Sequence, residues 1–157
     1  MTKNQTRTRL ALASSIVCGG LLGLTLLTAS RPSAANAPSG RFVPSGILVM
    51  DTQTGLLWQP SAATGTYSTQ GGAMTYCQSQ TMRLPSVTEL QTIIDDSQAS
   101  PAIDTTFFTD GMVGYFWTSS AYVPSMADDF WVVSFSDGTS TEAASTGTTS
   151  IHVRCVK

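Results

Sequence analysis

Fourteen residues, "RLPSVTELQTIIDD" (Arg83 to Asp96), constrain the fold more than any bulk property of the chain. Ser86 followed three residues later by Glu89 is a capping box, in which each side chain satisfies a backbone N–H left open at a helix start. Pro85 cannot lie in a helix interior and fixes where the chain enters. Val87, Leu90, Ile93 and Ile94 then recur on one helical face. A helix this short is marginal alone in water, so cap and apolar stripe together predict an element that docks on a core. Glu89 is accounted for by the cap, and Arg83 is expected to pair with a carboxylate rather than to serve catalysis.

Around that helix the chain reads as β-structure. "ILVMD" and "LLWQ" are short strands joined by the turn residues of "TQTG", hence a hairpin. Small and polar residues from Pro60 to Gly72 read as loop. "AMTYCQSQ" (Ala73 to Gln80) is a second short helix with Ala73, Tyr76, Cys77 and Gln80 on one face. Ser97 to Gly114 is loop. "YFWTSSAY" is a strand, and "DFWVVSF" is another, followed by Asp137-Gly138, a hairpin signal. "TSTEAASTGTTS" is a weak strand running into loop. "IHVRCVK" is a closing strand with Ile151, Val153 and Cys155 on one face and His152 on the opposite, surface side. The expected fold class is α+β: two short helices on a mostly antiparallel sheet.

The chain has 157 residues, enough for one domain with a sizeable core. Its start is of another kind. Lys3, Arg7 and Arg9 precede an apolar run, Leu10 to Ala29, and small residues follow, the three-part pattern of a secretory signal peptide. Ser33 and Ala35 suit cleavage after Ala35, so residues 1–35 are expected to be a leader, 36–45 a Pro/Ser/Ala/Gly linker and 46–157 the domain. The alternative is an uncleaved membrane anchor, since about 20 apolar residues can span a bilayer. A lipoprotein reading through Cys18 fails on the bulky Val17. The expected location is the cell envelope or outside the cell.

Cleavage removes Lys3, Arg7, Arg9 and Arg31, four of the eight basic residues, and leaves all ten acidic ones, for a net charge of about −6. Nucleic-acid binding needs clustered Lys and Arg and is not expected. Cys18 leaves with the leader, and Cys77 and Cys155 remain. Two cysteines in an exported domain are expected to pair; the alternatives are a reactive thiol or a metal pair, for which no nearby histidine or acidic set is in view.

Five ordered motifs carry a family resemblance: "DTQTGLLWQ" (Asp51 to Gln59), "RLPSVTELQTIID" (Arg83 to Asp95), "FWTSS" (Phe116 to Ser120), "WVVSFSDG" (Trp131 to Gly138) and "VRCVK" (Val153 to Lys157). From about Gly40 onward the chain resembles the C-terminal domain of Legionella collagen-like adhesins. The resemblance implies a C-type-lectin-like fold, a helix cysteine bonded to one in the last strand, and a surface adhesin role recognising glycans, sulfated ones included. This chain departs by lacking a collagen-like repeat and, at about −6, the basic surface that sulfated polymers require. Neutral glycans, surface proteins or envelope components remain as expected partners.

The candidate ligand-binding residues are Tyr122, Asp128, Asp129, Trp131 and Trp117. Sugar sites stack exposed aromatic rings on apolar sugar faces, although Trp58, Trp117 and Trp131 read first as core; Tyr67 and Tyr122, in loops, are better placed for exposure. Asp128-Asp129 supplies only a fraction of the six to eight oxygens calcium wants. A solvated turn, or Asp129 paired with Arg83 or Arg154, is the preferred reading, and no cofactor is expected. His152 is the sole histidine, so no Ser-His-Asp set can be built around a second one. Gly71-Gly72, with no lysine following, is not a phosphate loop. The expectation is a non-catalytic binding or adhesion module; the alternative is a structural envelope protein that self-associates without recognising a ligand.

Overall fold

The computed structural model describes residues 38–124, 128–146 and 151–157; the proposed leader lies outside them. Two three-stranded antiparallel sheets and two helices make up the described residues. The first sheet is β1 (Phe42–Ser45), β2 (Leu48–Asp51) and β3 (Leu57–Trp58), with Phe42 opposite Asp51 and Val49 opposite Trp58. Phe42–Ser45 is thus strand, not linker: Phe42 is buried among Phe107 and Phe108, which holds this segment in the sheet. Helices α1 (Gln70–Ser79) and α2 (Val87–Thr92) follow, and then the second sheet, β4 (Tyr115–Ala121), β5 (Asp129–Ser134) and β6 (Ser140–Ala144).

Helix α2 forms as its sequence dictates. Ser86 accepts the Glu89 N–H at 3.2 Å, and Glu89 accepts the Ser86 N–H at 2.8 Å. Leu90 and Ile93 are fully buried while Val87 and Ile94 pack at the margin of the core. Arg83 makes a two-pronged bond to Glu89, at 2.8 and 2.6 Å. Helix α1 starts three residues before its expected position, because Thr69 caps it by accepting the Gly72 N–H at 3.0 Å. Glycines that read as loop therefore lie in its first turn. Its buried stripe, Gln70, Ala73 and Cys77, is narrow.

The pair β4–β5 is buried on both faces. Phe116 opposite Val133 faces one apolar cluster with Leu90, Phe108 and Phe135; Trp117 opposite Val132 faces the other, with Ala73, Cys77 and Val153. The C-terminal segment 151–157 is not a regular closing strand. It makes single bridges to each part in turn: Ile151 to Tyr67, His152 to Phe116, and Val156 to both Trp58 and Arg83. Because it is enclosed, Val153, Arg154, Cys155 and Val156 are all buried regardless of strand alternation. Cys155 is bonded to Cys77 of α1, across 78 positions of sequence, as expected.

Candidate functional site

At the end of β4 a bulge between Trp117 and Ala121 breaks the even pairing with β5. Bulges bend a strand and re-aim its side chains. The Thr118 hydroxyl ties this one down by donating to the Trp131 carbonyl at 2.7 Å, and the Tyr122 N–H donates to the Asp129 carbonyl at 2.8 Å. As a result the Tyr122 ring meets the Trp131 ring edge to face, 4.9 Å between centroids and 84° between planes. Both side chains are half-buried: each is fixed by its neighbour yet keeps part of its surface in solvent. Asp128 beside them is exposed and Asp129 half-buried, and Val123, next to Tyr122, is 86% exposed. Four of the five candidate residues thus come together on one rim of the second sheet.

The fifth does not. Trp117 is fully buried, and its indole Nε1 donates to the Tyr67 carbonyl at 2.9 Å. Alternation along β4 turns it into the disulfide-side core, so it offers no face to a ligand. Trp58 is likewise fully buried, and Tyr67 is half-buried against Tyr76. His152 is half-buried rather than openly on the surface: its ring lies 5.3 Å from that of Phe116, and its buried Nδ1 has no hydrogen-bond partner among the described residues.

The arginines are committed elsewhere than to Asp129. Arg83 holds Glu89, and Arg154 holds Asp110. Arg154 is fully buried; it donates to both oxygens of Asp110 at 3.0 and 2.9 Å and to the carbonyls of Gln59 and Pro60 at 2.8 and 2.9 Å. Phe108, Phe116 and Phe135 surround its guanidinium at 5.0 to 5.9 Å. Burial pulls the Arg154 pKa down, while Asp110 opposes that shift. This cluster was absent from the sequence reading; its one trace there is a charged residue between two apolar ones in a segment otherwise built for the core. Its role is architectural, since every donor named is turned inward. Among the described residues no group of three or more His, Cys, Asp or Glu side chains could hold a metal ion.

These features define a class: a small α+β domain whose mid-chain helix is tied to its end by one disulfide, with an aromatic pair and two aspartates on one rim of the second sheet. The chain belongs to the Lcl C-terminal domain family, whose model matches residues 47–157. That is a family of adhesin-associated domains and not a known enzyme family, and the association suggests a surface or secreted protein. No curated protein and no solved structure matches the chain. No helix among the described residues is long and apolar enough to cross a membrane.

Proposed function

We propose that this protein is an exported, non-catalytic adhesion module with a C-type-lectin-like fold, and that it reads a glycan with the rim formed by Tyr122, Asp128, Asp129 and Trp131. The observation that carries the reading is the half-exposed, edge-to-face Tyr122–Trp131 pair. A ring held in place by its neighbour loses little freedom when a sugar's apolar face stacks on it, which is why rigid aromatics are efficient anchors. The Asp128 carboxylate beside the pair is an acceptor for sugar hydroxyls. A glycan without sulfate fits best, because the acidic rim repels anionic polymers.

A glycan array probed with the exported protein, with and without calcium, tests this. The expected result is binding to uncharged glycans that calcium leaves unchanged and that Trp131→Ala weakens roughly thirtyfold. Absence of binding to any glycan, together with concentration-dependent oligomers, would favour a self-assembling envelope protein instead.

A further inference from the structure

The second sheet has one edge whose backbone pairs with no described residue, although the Gln91 amide donates to the Ser140 hydroxyl at its start, at 2.9 Å. On its β4 side the ladder is closed by His152, which accepts the Trp117 N–H and donates to the Tyr115 carbonyl. On the other side lies β6. The Ser134 N–H donates to the Thr139 carbonyl, and the Ser145 N–H donates to the Asp128 carbonyl. In an antiparallel ladder bonded and non-bonded pairs alternate, so with the observed register Thr141 and Phe130's partner Ala143 also turn their backbone groups toward β5. Ser140, Glu142 and Ala144 therefore turn theirs outward. None of these three has a backbone partner among the described residues, and Glu142 and Ala144 are exposed.

Unpaired edges template a further strand unless the sequence blunts them with proline, lysine or a bulge. In the first sheet the outer strand β1 carries Pro44, which has no N–H to offer. Strand β6, Ser-Thr-Glu-Ala-Ala, has no proline or lysine, and its single charge, Glu142, is its one guard. A second copy pairing antiparallel through the middle of this edge would set Glu142 against its own counterpart, and like charges directly opposite are destabilising. A basic residue opposite Glu142 removes that cost, and the surrounding charge agrees: Asp128 and Asp129 lie at the far end of the β5–β6 pair, with Asp129 opposite Ala144.

We propose that the outer edge of β6 binds an extended polypeptide segment by strand addition, with a Lys or Arg of that segment paired to Glu142. Backbone bonds to Ser140, Glu142 and Ala144 supply the attachment and the single charge sets the register. This goes beyond glycan reading at the rim, since it gives the domain a protein partner on the strand that borders the rim, where Glu142 stands opposite Trp131.

The test uses three short synthetic peptides of alternating threonine and valine: one with a central lysine, one with a central glutamate, and the lysine peptide N-methylated at alternate residues. Each is titrated into the isotopically labelled exported protein while amide resonances are followed. The lysine peptide is expected to shift the amides of Ser140, Glu142 and Ala144 and slow their hydrogen exchange. Its affinity is expected to fall at least about tenfold on N-methylation and again in Glu142→Lys, while the glutamate peptide gains affinity for that variant. Unmoved β6 amides, equal binding of the methylated peptide, or dimerisation of the protein through β6 would each overturn the proposal. Because Glu142 stands opposite Trp131 of the rim, glycan binding by the unsubstituted protein separates the two readings: if it is seen while peptide binding is not, only strand addition fails.

Discussion

At the scale of single residues, the Arg154–Asp110 pair is where the molecule is most exposed to damage. Removing one partner of a buried ion pair leaves an uncompensated charge, at a cost of about 3–5 kcal/mol. Asp110→Ala is therefore expected to lower the free energy of unfolding by about that much, measured by chemical denaturation. Asp110→Asn, whose single side-chain oxygen in place of Oδ2 can still accept from the Ala62 N–H and from Arg154, is expected to cost less. Glu89 behaves differently. Hydrogen bonds from Arg83 hold its pKa at about 2 against an ordinary 4.5. A carboxyl depressed on folding contributes stability that is complete above the unfolded pKa and is lost as pH falls through the folded one. That window runs from about 4.5 down to about 2, and because half of the Arg83 side chain is exposed the contribution is that of a surface pair, at most about 1 kcal/mol. Glu89→Gln is expected to flatten the acid limb of stability in that window and to lower stability above it by that same contribution, at most about 1 kcal/mol. The Ser86–Glu89 cap was legible in the sequence because its partners sit at a fixed local offset. Arg154 and Asp110 stand 44 positions apart, and no local pattern announces such a pair.

At the scale of elements, the hairpin between β5 and β6 is locked to α2. Gly138 has φ +79°, and a Cβ there would come within 2.8 Å of the Ile94 side chain. Gly138→Ala combines left-handed backbone strain with overpacking, a loss of about 1–3 kcal/mol, and is expected to lower the denaturation midpoint without altering the disulfide. The Asp-Gly signal named this turn correctly, and the hairpin β2–β3 and strands β4 and β5 were equally legible from alternation and turn chemistry. Besides strand β1, which was read as linker, two elements were misread for physical reasons. The start of α1 was set by a threonine cap ahead of two glycines, residues whose composition speaks for loop. The closing segment was read as a strand with one surface face, yet it lies between parts of the fold that bury both faces, which alternation alone cannot report.

At the scale of the whole molecule, one covalent bond and one surface pair carry the account. The Cys77–Cys155 bond closes 78 positions of chain; on the chain-entropy model its loss costs about 4 kcal/mol. A Cys77→Ala/Cys155→Ala double variant is expected to show a correspondingly lower unfolding free energy in denaturant titrations. Export chemistry and family resemblance both pointed to this bond. The rim was only partly legible: Trp117 and Trp131 look alike in sequence, and what separates them is position along a pair buried on both faces, Trp117 in its regular part opposite Val132 and Trp131 beside the bulge, opposite Glu142 of β6. The central claim is that Trp131 binds ligand while its buried counterpart holds the fold together. Binding isotherms of the protein and of Trp131→Ala, measured on the strongest glycan from the array, test it most directly. The account predicts a loss of about 2 kcal/mol in binding, roughly thirtyfold in affinity, with the denaturation midpoint nearly unchanged; equal affinity in the two proteins would contradict it.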